Sequence, residues 1–206
     1  VWVLEVGNPT GIPLEQRPGV LVVGNLEGDH LVGSALALES VRYLVRHASE
    51  EAVRKALDTQ VFYVVPRLNP DGAETMFARV KWERRTNGRP FDDDNDGRSD
   101  EDGPEDLNGD GYVTVMRVRD PAGDYLADSA DARVLRRADR SKGEVGVYKL
   151  YLEGTDEDGD GFINEDGPGG VDLNRNFQHE YPYWQRDAGP HMVSEAESRA
   201  LMDFVL

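Results

Sequence analysis

The sequence predicts an α/β fold, with helices layered on a sheet and Asp- and Gly-rich insertions interrupting it. Three observations carry this reading. Strand-like and helix-like stretches alternate through the N-terminal third, the order that builds layered α/β folds. Val61–Val65 reads Val-Phe-Tyr-Val-Val, an unbroken apolar run that suits a strand buried on both faces. From about Arg84 to Gly170 the chain is rich in Asp, Gly, Asn and Pro. A structureless loop of that length is foreign to a compact domain, so something must hold it.

Taken in order, Val1–Val6 and Val20–Val23 are β-branched runs that predict strands. Asn8-Pro-Thr-Gly11 and Arg17-Pro-Gly19 supply the turns between them. Leu31–Arg46 has helical spacing, with Leu36, Leu38, Val41, Leu44 and Val45 mainly on one face. A second helix is predicted over Glu50–Leu57, with Ser49 as N-cap and acids in its first turn. The middle offers short strands at Tyr112–Val118 and Val147–Leu152. The last helix has Ser194 as N-cap and Glu197 three places on, a capping box, followed by Ala200, Leu201, Phe204 and Val205. Its pattern is still running at Leu206. The expectation is one truncated domain over residues 1–206, with insertions at about 91–120 and 154–170, whose parent continues.

The chain has 206 residues, 40 acidic and 23 basic, a formal net charge of -17 and no cysteine. Disulfides, thiolate metal sites and cysteine nucleophiles are thereby excluded. So much negative charge argues against nucleic acid or an anionic membrane as partner. No apolar run reaches the roughly 20 residues of a membrane span. The charge is local, however. Residues 91–110 hold ten acids and one base, and residues 156–166 hold six acids and no base, so these segments carry fifteen of the seventeen excess charges.

The two segments repeat one pattern. Asp92-x-Asp94-x-Asp96-Gly97 is followed by Glu101-Asp102-Gly103-Pro104, and Asp156-x-Asp158-x-Asp160-Gly161 by Glu165-Asp166-Gly167-Pro168 at the same spacing. Between them lies Asp106-x-Asn108-x-Asp110-Gly111. Oxygens at positions 1, 3 and 5 with Gly at 6 match the first half of an EF-hand calcium loop. Calcium takes six to eight hard oxygens, and Gly lets the chain wrap around it. The bidentate Glu of position 12 is missing, because Gly103, Arg117 and Gly167 stand there. Asp102 and Asp166, or Glu101 and Glu165, lie one or two places early for that role. Calcium is expected to fold the insertions. The predicted ligands are Asp92, Asp94, Asp96, Asp102, Asp106, Asn108, Asp110, Asp156, Asp158, Asp160 and Asp166. The bland reading is a solvated acidic loop.

Three other stretches are unusual together: Gly24-Asn-Leu-Glu27-Gly-Asp-His30-Leu-Val-Gly33, Asn69-Pro-Asp-Gly72 and Val171-Asp-Leu-Asn174-Arg175-Asn-Phe177. All stand where an α/β sheet displays its site, at strand ends. With Ser194-Glu-Ala-Glu197, the chain resembles the zinc carboxypeptidases of the A and B type. The resemblance implies a mixed central sheet with helices on both faces, zinc as cofactor and peptide C-termini as substrate. Asn174 and Arg175 would bind the terminal carboxylate, which the planar fork of Arg suits. Arg84 would stabilise the oxyanion, with Arg85 in contention because the local alignment slips by one.

The chain departs from the family at the metal. The family's His-x-x-Glu appears here as Glu27-x-x-His30. Both residue types ligate zinc and the spacing is kept, so the pair either binds zinc or forms a polar pair without metal. The family's third ligand, a His, and its catalytic Glu follow the Ser-Glu-x-Glu helix and have no counterpart before Leu206. His47, His179 and His191 read as surface or packing residues. The 206-residue piece is therefore expected to be inactive by itself. The alternatives are a pseudopeptidase of the same fold, or a calcium-stabilised peptide-binding module. Calcium loops without cysteine fit a periplasmic or secreted setting.

Overall fold

The computed structural model describes residues 1–92, 97–100, 102–157, 159, 161–164, 167 and 169–206. The chain forms two compact units. The first joins Val1–Ala78, Glu83–Arg89 and Gly169–Leu206; the second joins Arg79–Trp82 and Pro90–Pro168.

The first unit holds strands β1 (Leu4–Val6), β2 (Gly19–Val23) and β3 (Val61–Val65), and helices α1 (Leu31–Arg46), α2 (Glu51–Thr59), α3 (Pro70–Glu74) and α4 (Ala196–Val205). The sheet order is β1-β3-β2. β2 pairs parallel to β3, with Val20 opposite Phe62, and β1 pairs antiparallel, with Leu4 opposite Val64. A parallel pair needs a crossover, and α1 and α2 supply it. Mixed pairing and covering helices give the α/β architecture expected.

Several local expectations are corrected. Val61, Val64 and Val65 are buried, whereas Phe62 and Tyr63 are half-buried. On α1 the buried positions are Ser34 and Ala37; Leu36, Leu38 and Val45 are exposed. The helix carries more apolar residues than its packed stripe can take. Ser49 does not cap α2, whose N-cap is Glu50 without a side-chain bond. Nor does the Ser194–Glu197 capping box form. Ser194 Oγ donates to Glu195 Oε1 at 2.6 Å and accepts from Asn176 Nδ2 at 2.9 Å. One partner eighteen residues earlier and one adjacent take the place of a cap.

The core of this unit is Val65, Leu68 and Leu173, with Val23, Leu26, Phe177 and Leu201 packed against them. α4 lies on the face of β3 that carries Tyr63 and Val65, with Phe204 edge-on to Tyr63. Asn87 fastens the late segment to the early one. Its Oδ1 accepts from Val171 N, and its Nδ2 donates to the buried Glu195.

The second unit holds β4 (Val115–Arg119), β5 (Tyr125–Ala127), β6 (Leu135–Arg137) and β7 (Tyr148–Leu152) in the order β4-β7-β5-β6, all antiparallel. β5 and β6 were not expected. Its described residues include no fully buried large apolar side chain; the buried polar side chains there are Asp102 and Glu153, 1% and 4% exposed. Burying carboxylates in place of a hydrocarbon core is costly unless a cation or a dense set of donors meets them.

Candidate functional site

The site of the first unit grows from the turn between β2 and α1. Asn25 takes a left-handed conformation, and its Nδ2 donates to the carbonyls of Glu27 and Gly28. Gly24 and Asn25 accept from the amides of Leu68 and Asn69, which pins the turn to the end of β3. Gly28 donates to the Arg85 carbonyl at 2.9 Å. A Cβ at Gly28 would strike the Arg84 carbonyl and the Gly72 backbone, so the close approach requires glycine.

The Asn-Pro-Asp-Gly stretch is scaffold. Asn69 is fully buried and N-caps α3 through Gly72 N, with Pro70 in the first turn. Its Nδ2 donates to the Arg85 carbonyl at 3.1 Å. Asn69 and Gly28 together hold the Arg85 backbone against the turn.

Asp172 organises the other wall. It is fully buried and N-caps a 3-10 turn over Leu173–Arg175, with Oδ1 accepting from Asn174 N at 2.9 Å. Its Oδ2 lies 2.7 Å from Arg85 Nε and 3.4 Å from Arg175 Nε. Asn176, also buried, donates to the Ala188 carbonyl and Ser194 Oγ and accepts from Glu195 N. The Asp-Leu-Asn-Arg-Asn-Phe stretch is therefore fastened through Asp172 and Asn176, packs Leu173 and Phe177 in the core, and brings Asn174 to the cavity.

These walls meet at Glu27. Its Oε1 accepts from Arg85 Nη2 at 2.6 Å and from Asn174 Nδ2 at 3.4 Å, and its Oε2 lies 2.6 Å from His30 Nδ1. An open cavity of about 330 Å³ is lined by Glu27, His30, Val32 and Asn174, among others. The arginine whose side chain reaches Glu27 is Arg85; Arg84 Nε lies 3.4 Å from Thr86 Oγ1. The hydrogen bond to Asp172, opposed by burial and aided by the charges of Asp172, Glu27 and Asp29, holds the Arg85 guanidinium above its ordinary pKa. Arg175 donates through Nη1 to Gln185 at 2.6 Å and to Asp187 at 3.2 Å.

The sequence reading passed over Asp29. Donor atoms of Glu27, Asp29 and His30 all lie within 4.8 Å of one another. Asp29 Oδ1 is buried without a hydrogen-bond donor among the described residues, 3.9 Å from His30 Nε2. An orphaned carboxylate oxygen beside a carboxylate and an imidazole is a hard-and-borderline donor set that fits zinc. The residues present thus fit the metal that the resemblance implies, with Asp29 as a third donor inside the same turn.

In the second unit the sixth-position glycines of the three acidic loops share one conformation and one bond. Gly97, Gly111 and Gly161 all have positive φ, at +96, +87 and +98 degrees. Each donates its amide to Oδ2 of the Asp five places earlier: Asp92 at 3.1 Å, Asp106 at 2.8 Å and Asp156 at 3.0 Å. Asn108 and Asp110 take their own Asx turns inside the middle loop. Glu153, at the end of β7, accepts from Asn108 N and from Thr114. A buried carboxylate from another strand thus meets the loop that lacks its own position 12. Of the expected calcium ligands, Asp94, Asp96, Asp158, Asp160 and Asp166 lie outside the described residues.

The zinc carboxypeptidase family profile matches residues 1–206. Human carboxypeptidase D is 31% identical over 75 residues, which are 36% of this chain and 5% of that protein. The mouse carboxypeptidase N catalytic chain is 32% identical over 82 residues, 38% of this chain and 18% of that one. A crystal structure of thrombin activatable fibrinolysis inhibitor superposes with a TM-score of 0.53 at 15% identity, covering 98% of this chain and 34% of that one. The chain therefore corresponds to about a third of the solved relative's length and to less than a fifth of these curated relatives. Because the family match runs from the first residue to the last and the mixed α/β fold agrees, the chain belongs to the zinc carboxypeptidase family.

Proposed function

We propose that this chain carries the metal-binding turn and the carboxylate grip of a zinc-dependent carboxypeptidase that removes C-terminal residues from peptides. The observation that supports it is the convergence on one cavity of Glu27, His30 and Asn174, the last 147 residues distant from the first. Bound zinc would polarise the scissile carbonyl and lower the pKa of a water. Glu27, Asp29 and His30 would hold the ion. Asn174 and Arg175 would orient the substrate by its terminal carboxylate, and Arg85, kept cationic by Asp172, would face negative charge developing on the carbonyl oxygen. By itself the 206-residue chain binds a peptide end without cleaving it. The family resemblance calls for a water-activating Glu that has no counterpart within these residues.

The test is binding and hydrolysis of peptides with free or amidated C-termini. A free carboxylate should be preferred, and Arg175→Ala should weaken binding at least about 30-fold. Equal binding of amidated peptides would remove the reading. A second reading, a pseudopeptidase that binds peptide without metal, draws on the contacts that already engage Glu27, a salt bridge to Arg85 and His30 Nδ1 at 2.6 Å.

Calcium on the three loops would fold the second unit, and an extracytoplasmic setting would supply it at the concentrations that incomplete loops need. No helix among the described residues is long and apolar enough to cross a membrane. Calcium in excess of EGTA is expected to raise the thermal midpoint by on the order of 10 °C. An unchanged midpoint would sink the calcium assignment.

A further inference from the structure

The four-stranded sheet of the second unit carries positive charge inside a chain of net charge -17. Residues 117–149 hold eight bases and six acids. Five of the bases are salt-bridged within the stretch, Arg133 to Asp131 for example, and those pairs occupy five of the six acids. Arg117, Arg119 and Arg137 make no ion pair among the described residues.

Strand register places these three on one face. Arg119 of β4 stands opposite Tyr148 of β7, Tyr148 opposite Tyr125 of β5, and Tyr125 opposite Arg137 of β6. Directly opposed residues share a face, so an Arg-Tyr-Tyr-Arg row crosses the whole sheet. Arg117, two places before Arg119, is on the same face. Its guanidinium lies 5.3 Å from the centre of the Tyr148 ring, and that of Arg137 lies 5.8 Å from the centre of the Tyr125 ring. The arginines are exposed and the tyrosines half-buried. No strand residue that shares this face is acidic.

We propose that this face docks an acidic, extended polypeptide segment, with Arg119 and Arg137 gripping its carboxylates at the two ends of the row. A guanidinium set over a ring keeps N–H groups for a bidentate carboxylate. Three strand spacings separate the outer arginines, about 14 Å between backbones. An extended peptide lying across the strands covers that span in four residues, so acids at i and i+4 match it. A single-stranded nucleic acid fits less well. Tyr148 and Tyr125 each already carry a guanidinium, so neither is a bare platform for a base, and the negative field of the whole chain opposes a dense phosphate backbone. The proposal is independent of the peptidase and calcium readings.

Fluorescence anisotropy of a labelled decaglutamate peptide, titrated with the full chain at about 50 mM salt, tests it. Wild type should bind, and about 0.5 M salt should release the peptide. Arg119→Gln and Arg137→Gln should each weaken binding about tenfold. Neither side chain has an ion-pair partner to lose, so both variants should melt with the wild type. Arg133→Gln, 89% exposed and already paired with Asp131, should change binding by about twofold at most. No binding by the wild type overturns the proposal. So does an Arg133→Gln effect as large as the other two, which would mark unspecific charge attraction. Tighter binding of an oligothymidylate of equal length, lost in the Arg119 and Arg137 variants, overturns the acidic polypeptide as partner in favour of nucleic acid.

Discussion

Replacing Asp172 with Ala is expected to lower the unfolding free energy by about 3 kcal/mol, the lower end of the range for breaking a buried ion pair. The lower end applies because Arg85 and Arg175 are 45% and 40% exposed, so water can screen what remains. Three losses combine. Arg85 Nε loses its 2.7 Å acceptor, Arg175 loses its attraction, and the turn over Leu173–Arg175 loses its cap. Asp172→Asn keeps the cap and should lose less. Urea unfolding of the three proteins checks the ranking, which puts wild type first, Asn second and Ala last. An Ala variant within 0.5 kcal/mol of wild type would mean that the paired arginines gain nothing from Asp172, the usual lot of exposed pairs. The same change should loosen the site. Freed of Asp172, Arg85 retains Glu27 as its remaining bonded carboxylate, and Asn174 loses the bond that sets its backbone.

What the sequence revealed depends on how far apart the interacting residues lie. β3 and α1 were legible because an apolar run and a helical period are local signals. β5 and β6 were not, since three-residue strands such as Leu135-Arg-Arg137 carry no pattern and owe their form to pairing with neighbours. The failed cap at Ser194 is similar. Its hydroxyl answers to Asn176, eighteen residues earlier, and to Glu195, both absent from the capping pattern. At the site, motif order located Glu27, His30 and Asn174 without any contact being visible. Asp29 was passed over as a spacer between two expected ligands. Its signal was present, as a third acid or imidazole within four residues, but only the turn imposed by Asn25 makes its donor atom converge with the others. Arg85 differs from Arg84 by one position, and the choice turns on which carbonyl Gly28 grips.

Glu27→Ala is expected to lower zinc affinity by on the order of 100-fold or more, the largest effect anticipated for this chain. Removing one of three donors leaves Asp29 and His30, too few for a firm tetrahedral site. Isothermal titration of the metal-stripped chain with zinc measures this without reference to activity. The companion variant is Arg85→Met. Arg85 Nη2 sits 2.6 Å from Glu27 Oε1 and competes with any cation for that oxygen. If Glu27 is a ligand, removing the competitor should tighten zinc several-fold. If Glu27 serves only to pair Arg85 and His30, zinc binds weakly in the wild type and neither variant changes it. Under either reading Arg85→Met should destabilise the metal-free fold, because buried Asp172 loses its 2.7 Å donor and Glu27, only 12% exposed, keeps one hydrogen-bonded partner fewer. The two variants therefore move zinc affinity in opposite directions under the first reading and leave it unchanged under the second. Tighter zinc in Arg85→Met would mark the swapped Glu-x-x-His turn as a metal site held in check by its own arginine. Unchanged zinc with lost stability would mark it as an ion-pair network that has replaced the metal.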